Sequence, residues 1–575
     1  MNRFSQALSP YIEGFRETDR PFLEYVRLEK SGLGEKRHWS RGEFWDLACK
    51  AASVLVRQGL CKGDRFLCGF GENRFEDLAF RLASVMTGTV PVTVNWQSDS
   101  AEQVCYKVRV TGCRLFLHDK TFSPALREAL LSQFPETPRY DVESLESEDP
   151  VMTSEICRDL ELSEDRIVIF TSGTTGNPKG VRLTYANYEN NARALGEVLL
   201  GLKPNSPASV VVVNPLHHTN SSAVTDLFFR HAPGQITLLS RYGSAYWKVL
   251  AEVAEAGMQG TPIFAFTVAR HFDFLEEMMT RQELPVPEER LKKVLNRVDF
   301  VIGSAPVGPT TVRRLQKWSG RVPMVRFGST ESTFQVSGIP ASMSQEARLA
   351  AFEEGWNAPS QPGYFIGRPH PPHTEMDVVR GIDPEGPHFM VPCREGEAGY
   401  LVSRGGHIMK GTVQDEGRLP SNVHDGWYVG FRDIGFFLQD ALDGKRNFYW
   451  VERDSALLIR GGANAACDAV AAELSRYLQE RYGLHSADFD LAVVGLRLQS
   501  EHEDSCCVTI ELKSPLSRSL QEKLRESFVS EARSAVSKSS RPDRLRFGRI
   551  PRTFKGTIRV GELKKAWMEE LRSKS

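Results

Sequence analysis

The sequence predicts an α/β protein: a large N-terminal domain of doubly wound sheets with a small β unit, then a smaller α+β C-terminal domain. Three observations predict it. Short apolar runs alternate with stretches of helical periodicity from residue 43 onward, as helices covering a parallel sheet require. Residues 383–437 turn Gly-rich, with shorter strands. A last segment of roughly 120 residues repeats the helix–strand pattern and is large enough for a core of its own. The expected domain bounds are 1–452 and 453–575.

Each element has its own signal. Phe44, Leu47, Ala51 and Leu55 recur at helical spacing within residues 43–59. The turn Cys61–Asp64 leads into RFLCGF, a buried strand. A helix is expected over 76–88, followed by the strand TVPVTV. IVIF (167–170) and VVVVNPL (210–216) are unbroken apolar runs, the pattern of parallel strands covered on both faces. HFMVP, GYLVSR, GWYVG and IGFFLQ read as antiparallel strands of the β unit. Beyond Glu452 come a helix over 468–482, the strands LAVVGL and CCVTIEL, and a helix over 519–537. No Pro- or Ser-rich linker separates the parts, so any hinge is short.

Composition excludes several function classes. The 575 residues carry 72 Lys+Arg and 73 Asp+Glu, a net charge of −1, which excludes a globally basic nucleic-acid coat and an acidic solvating tail. The 10 Cys form no CxxC pair, so neither a disulfide scaffold nor a structural zinc site is expected, and a reducing compartment fits. Cys506 and Cys507 read as buried, inert thiols. The N-terminus lacks the apolar run of a signal peptide, and no stretch approaches the ~20 apolar residues of a membrane span. The terminal SKS lacks the Leu of a peroxisomal address. The expected location is cytoplasmic. The last 35 residues hold 11 Lys+Arg and 4 Asp+Glu. They form either a solvated face or a contact for nucleotide or CoA phosphates. Nucleic acid is not expected as a partner, because no aromatic interleaving accompanies the charge.

The sharpest local feature follows IVIF: Thr171-Ser172-Gly173-Thr174-Thr175-Gly176-Asn177-Pro178-Lys179-Gly180. Its glycines permit tight turns that point backbone amides at phosphate oxygens. Ser172, Thr174 and Thr175 add hydroxyl donors, and Lys179 adds a positive charge. A Walker A loop needs GxxxxGK followed by Ser or Thr. Here Gly180 follows Lys179, so that loop is excluded.

The stretch instead resembles the signature loop of the adenylate-forming superfamily: acyl- and aryl-CoA synthetases, peptide-synthetase adenylation domains and luciferases. The resemblance runs along most of the chain. Residues 83–92 resemble the family's early helix-to-strand segment. Asn214-Pro215-Leu216-His217-His218 resembles the segment whose histidine stands at the acyl pocket, and Gly303-Ser304-Ala305-Pro306 the turn lining the adenine and acyl sites. Phe327-Gly328-Ser329-Thr330-Glu331 is similar to the aromatic-Gly-x-Thr-Glu motif. Residues 399–411 match the β unit before the hinge. Gly426-Trp427-Tyr428 with Asp433 resembles GWY…TGD, and Glu452-Arg453-Asp454 the following GRxD.

The resemblance implies a reaction in two halves. A carboxylate attacks the α-phosphorus of ATP, giving acyl-adenylate and pyrophosphate, and a thiol then displaces AMP. The first half needs positioning and charge neutralisation rather than a protein nucleophile. The implied cofactors are ATP, Mg²⁺ and CoA. By resemblance Glu331 is the magnesium ligand, Thr330 bonds the α-phosphate, Asp433 and Arg453 hold the ribose hydroxyls, and Phe327 stacks on adenine. Glu331 alternatively reads as a first-turn helix acid, Asp433 as a partner of Arg432, and His218 as a core histidine. His217 and His218 should diverge if the chain there is extended. The glycine loop, Gly303, Ser304, Ala305, Gly328 and Ser329 complete the implied nucleotide site.

Three departures stand out. The family's late PRTxSGK motif reads Pro551-Arg552-Thr553-Phe554-Lys555-Gly556-Thr557 here. Its lysine position falls on Thr557, with Lys555 the expected substitute and Arg559 the other candidate. Ser455 and Ala456 stand in register with the usual acidic hinge pair. GGANAACDAVAAE (461–473) replaces GGENxxPxEIE. No amine-binding FDxS segment is visible, which favours a fatty or aromatic acid without an α-amine. The chain has no carrier-attachment site, so the thiol is CoA or a separate carrier protein. Two alternatives stay open: an acyl-AMP ligase loading such a carrier, and a nucleotide-binding pseudoenzyme.

Overall fold

The computed structural model describes residues 5–29, 32–150, 159–171, 178–258, 260–359, 362–417, 422–453, 457–460, 463–485, 488–513, 518–552 and 558–574. Two large sheets dominate. The first has seven strands, with Val90–Thr93, Arg65–Gly69, Leu115–His118 and Arg139–Asp141 running parallel beside Asp165–Thr171. The second has a parallel centre made of Met324–Phe327, Val298–Ile302, Ile263–Thr267, Ala208–Val212, Gly234–Leu239 and Pro21–Glu29.

The helix Phe75–Thr87 is buried along its whole length, as a helix apolar on nearly every side must be. Its charged residues are neutralised inside: Arg74 pairs with Glu76 and Arg81 with Asp77. Arg81 also donates to the Leu216 carbonyl (2.9 Å) and to Ser222 Oγ (3.1 Å), which ties this helix to Thr219–Arg230. The helix Arg41–Arg57 starts at a capping box, where Ser40 and Glu43 satisfy each other's backbone N–H groups.

Two strand expectations are corrected. IVIF lies in Asp165–Thr171, which is parallel to Val90–Thr93 on one side but antiparallel to Lys179–Thr184 on the other. The glycine loop is therefore the connection of a hairpin. HFMVP forms no strand, only two isolated bridges, Val379↔Pro392 and Gly381↔Phe389. The other β-unit strands are Gly399–Arg404, Trp427–Tyr428 and Asp433–Gln439. They join the second large sheet through Arg446–Arg453 and Tyr364–Pro369.

The C-terminal part builds a separate three-stranded sheet, Phe489–Leu496, Ser505–Leu512 and Arg544–Phe547. The helices Cys467–Tyr482 and Arg518–Ala535 contribute Leu474, Leu478, Leu524 and Phe528 to the core on one face. On the other, Val560–Lys574 brings Leu563 and Trp567. Cys506 and Cys507 pack into these opposite cores, and burial pushes both thiols up to about 12. This part touches the large sheets at several points: Arg497 lies over the Tyr364 and Trp450 rings, Lys564 pairs with Glu452 at 3.4 Å, and Glu501 and His502 build a further contact. Glu501 accepts from Thr310 N (3.2 Å) and Thr310 Oγ1 (2.8 Å). His502 Nδ1 donates to the Pro306 carbonyl and Nε2 accepts the Thr311 hydroxyl, each at 2.7 Å. Among the described residues no helix is long and apolar enough to cross a membrane.

Candidate active site

The site residues cluster at the carboxyl ends of the parallel strands, where open α/β sheets place ligands. Val298–Ile302 runs into Gly303-Ser304-Ala305, and Met324–Phe327 into Gly328-Ser329-Thr330-Glu331. Glycine is required at two of these positions by close approach. A Cβ on Gly328 would lie 2.1 Å from the Phe334 carbonyl oxygen, and one on Gly303 2.6 Å from Arg326 Nε. Ser304, Thr333 and Phe334 adopt φ of 67°, 48° and 85°, left-handed conformations that cost energy in non-glycine residues and concentrate at functional sites. Ala305 is partly buried against the main core.

Ser329 N donates to Ser332 Oγ (2.8 Å), which holds the loop closed. Thr330 Oγ1 accepts the Thr219 hydroxyl at 3.0 Å, so the loop meets the start of the helix Thr219–Arg230. The Glu331 carbonyl accepts Met409 N (2.8 Å). Its carboxylate has no hydrogen-bond or ion-pair partner among the described residues, yet its charge raises the pKa of both Tyr428 and Arg453. Phe327 is half-buried and meets Phe431 edge-on at 6.0 Å.

Asp433 is 1 % exposed and bonds Arg453, not Arg432. Its Oδ1 accepts from Arg453 Nε (2.8 Å) and Trp450 Nε1 (2.8 Å), and its Oδ2 accepts the second Arg453 nitrogen at 2.9 Å. A carboxylate offers about four acceptor sites, so Oδ2 retains capacity for a hydroxyl. Arg432 is exposed at φ 56° and occupies the glycine position of the family's TGD.

The two histidines do not diverge. His218 N bonds the Pro215 carbonyl (3.1 Å), so the chain turns there instead of extending. The rings lie 4.3 Å apart, and His217 meets Trp96 edge-on at 5.8 Å. Burial, then the nearby Lys107 ammonium, pushes His218 down to about 4. Burial pushes His217 well below its ordinary value. Both are neutral near pH 7. Neither ring nitrogen of His217 has a hydrogen-bond partner in the described structure.

Lys179 is half-buried and paired in register with Thr171 across the loop mouth. Ser172, Gly173, Thr174, Thr175 and Gly176 lie outside the described residues, as do Lys555, Thr557, Ser455 and Ala456. Arg559 is half-exposed and pairs with Glu562 at 2.7 Å.

Sequence reasoning missed three side chains here. Gln414 Oε1 accepts Gly180 N (3.2 Å), and its amide donates to the Pro178 carbonyl (3.0 Å), which fixes the exit of the glycine loop. Lys107, buried and paired with Asp99, was legible as a lysine on the apolar stripe of Val104, Val108 and Thr111. Arg326 is the third. Asp226, the acid nearest to an amine-binding position, is fully engaged elsewhere by Tyr11, Arg166 and Arg230.

Residues 15–412 match the model of the AMP-binding enzyme family. The mouse mitochondrial medium-chain acyl-CoA ligase ACSF2 is 28% identical over 509 residues, covering 81% of this chain and 73% of that protein. The 2-succinylbenzoate–CoA ligase of Bacillus licheniformis is 25% identical over 424 residues, covering 72% of this chain and 75% of that one. Among solved structures, a double mutant of o-succinylbenzoate CoA synthetase from Bacillus subtilis, bound with a product analogue, superposes with a TM-score of 0.72. It is 19% identical and covers 98% of both chains. A strand-end site of this composition, on a chain matched over most of its length, leads to one conclusion: the protein belongs to the AMP-binding enzyme family.

Proposed function

We propose that this protein activates a carboxylic acid other than an α-amino acid by adenylation and passes the acyl group to CoA. The observation that carries the reading is the nearness of two groups: the loop of Thr330 and Glu331, whose carboxylate is unbonded among the described residues, and the Asp433–Arg453 pair, whose arginine feels the Glu331 charge. It is supported by relatives that are themselves acyl-CoA ligases. Those relatives differ in the acid they are named for, so membership alone leaves the substrate open.

In the first half-reaction a carboxylate oxygen attacks the α-phosphorus and pyrophosphate leaves. Lys179 holds the terminal phosphates, Thr330 the α-phosphate, and Asp433 with Arg453 the ribose. Phe327 covers the adenine, and neutral His218 stands at the acid. The Glu331 carboxylate, unbonded among the described residues, suits Mg²⁺, which accepts one or two carboxylates beside phosphate oxygens. Bound there, magnesium neutralises phosphate charge. Lys555 supplies the positive charge between carboxylate and α-phosphate. In the second half the thiol of CoA attacks the acyl carbon and AMP departs. We place the domain boundary at 452/453 and the hinge at 453–456, so that residues 453–575 turn between the two halves.

The test is pyrophosphate release across a panel of carboxylic acids, with and without CoA, with thioester identified by mass spectrometry. Acyl-CoA is expected. Acyl-AMP without thioester assigns the second step to a carrier protein. ATP binding without pyrophosphate release removes the activity.

A further inference from the structure

We infer that the acid this chain activates carries a second carboxylate, and that Arg326 binds it. The inference rests on the adenylation reading above and adds the class of acid. Arg326 lies in the strand Met324–Phe327 and is 6 % exposed. One terminal nitrogen donates to the Phe334 carbonyl at 2.7 Å. The other reaches Ser304 Oγ at a long 3.4 Å, and Nε has no partner among the described residues. A guanidinium carries five N–H donors in a planar fork, so most of its capacity is unused. No carboxylate among the described residues pairs with it.

Several other buried guanidiniums in this chain are treated differently, although Arg348 at the start of Gln345–Trp356, also 6 % exposed with Nε unbonded, reaches only the Ala341 carbonyl at 3.4 Å. Arg81 has Asp77, Arg166 has Asp226 and Arg453 has Asp433. Arg41, which also lacks a counter-charge, donates to four carbonyls, those of Gly14, Phe228, His231 and Gly234. Arg326 has neither arrangement. Burial alone pulls its pKa down, to about 9. Removing a cation from water without a partner is costly, and a ligand anion that forks onto the guanidinium returns that cost.

The surroundings are prepared for such a ligand. The guanidinium carbon lies 3.9 Å from the centroid of the Phe334 ring, and the missing side chain of Gly303 lets its backbone approach the same guanidinium. Gln335, next to Phe334, is fully buried with both amide atoms unbonded, and so is the hydroxyl of Thr267. Gly303 N meets the Thr267 carbonyl at 3.4 Å, which brings that residue to the same turn.

A second carboxylate accounts for these facts better than a phosphate. Adjacent residues of a strand point to opposite sides. Phe327, which contacts Phe431, lies on the side of Tyr428. The Glu331 charge acts on Tyr428 and Arg453 there. Arg326 faces the other way, and neither Glu331 nor Asp433 influences it.

The experiment measures binding and turnover in parallel. Hexanoate and hexanedioate, and benzoate and benzene-1,2-dicarboxylate, are titrated calorimetrically into the full chain with AMP present. The same pairs are run in the pyrophosphate assay, for wild type, Arg326→Met and Arg326→Lys. The expected result is that at least one diacid binds at least about tenfold more tightly than its monoacid, as a charge-assisted forked pair provides. Arg326→Met erases the preference, Arg326→Lys keeps part of it, and AMP affinity is unchanged in both. Arg326→Met should also raise the melting temperature of the unliganded chain, because it removes an uncompensated buried charge. Wild type favouring monoacids, or a diacid preference that survives Arg326→Met, overturns the inference and leaves the adenylation reading intact. A parallel loss of AMP affinity overturns it by assigning Arg326 to phosphate. Arg326-dependent diacid binding without pyrophosphate release overturns the adenylation reading alone. If the Met variant fails to fold, the Lys variant decides: an unchanged diacid preference with weaker AMP binding counts against the inference.

Discussion

The helix Thr219–Arg230 is buried from end to end, yet its two ends treat polar groups in opposite ways. At the C-terminal end Asp226 accepts from the Tyr11 hydroxyl (2.9 Å), Arg166 Nε (3.2 Å) and Arg230 Nε (2.9 Å). Arg166 continues to Ser84 Oγ (2.9 Å) and the Arg81 carbonyl (3.0 Å), and Arg230 to Glu189 (2.7 Å). At the N-terminal end the side-chain amide oxygen of Asn220 and both ring nitrogens of His217 are buried without partners among the described residues. Buried polar groups are nearly always bonded in native structures. The completed end therefore builds the fold. The incomplete end leaves buried polar atoms unsatisfied among the described residues, which costs stability.

The contrast predicts three graded effects. The largest is at the completed end. Asp226→Ala leaves two buried guanidiniums and a phenol without their shared acceptor, which should cost about 3–5 kcal/mol of stability in denaturant titration. Nucleotide affinity of the molecules that stay folded should be unchanged. A loss of affinity without a loss of stability would reverse the assignment of the two ends.

The second effect is at the site end and depends on pH. His218 is held neutral down to about 4 in the folded chain, whereas an unfolded histidine takes up its proton near 6.5. The stability that comes from keeping it neutral is complete above pH 6.5 and is lost progressively as pH falls to about 4. For a shift of this size the loss is on the order of 3 kcal/mol. His218→Asn should lessen, not abolish, the slope of stability against pH across that window, because burial also pushes His271 down to about 3 and His370 and His407 down to about 4. An unchanged slope would mean that His218 protonates freely in the folded state.

The smallest effect is at Asn220. Asn220→Leu removes an unsatisfied amide, so stability should stay within about 1 kcal/mol of wild type while turnover falls. A large loss of stability would show that Asn220 is bonded in the folded chain.

Much of the fold was legible because the signals are local. The stripe of Phe44, Leu47, Ala51 and Leu55 marks the helix Arg41–Arg57, and unbroken apolar runs mark the parallel strands. The motif Phe327–Glu331 was equally plain, since the close approach of the Phe334 carbonyl at Gly328 leaves its trace as a glycine in the sequence. The features that were not legible depend on pairing. The antiparallel partner of IVIF is set by where the chain returns after the glycine loop. The histidine contact depends on a turn at Pro215 that alternation does not reveal. Arg326 reads in sequence as one more strand residue. Its lack of a counter-charge emerges only once Gly303, Ser304 and Phe334 are folded around it.

The corner where His502 and Glu501 grip Pro306, Thr310 and Thr311 begins directly after Ser304 and Ala305. On the Arg326 inference, one short peptide serves both as the wall of the acid end and as a landing place of the C-terminal part. Sites that share a stretch of backbone exchange free energy in both directions. Whatever factor docking at Pro306 applies to the affinity for acid, the bound acid must apply, undiminished, to docking.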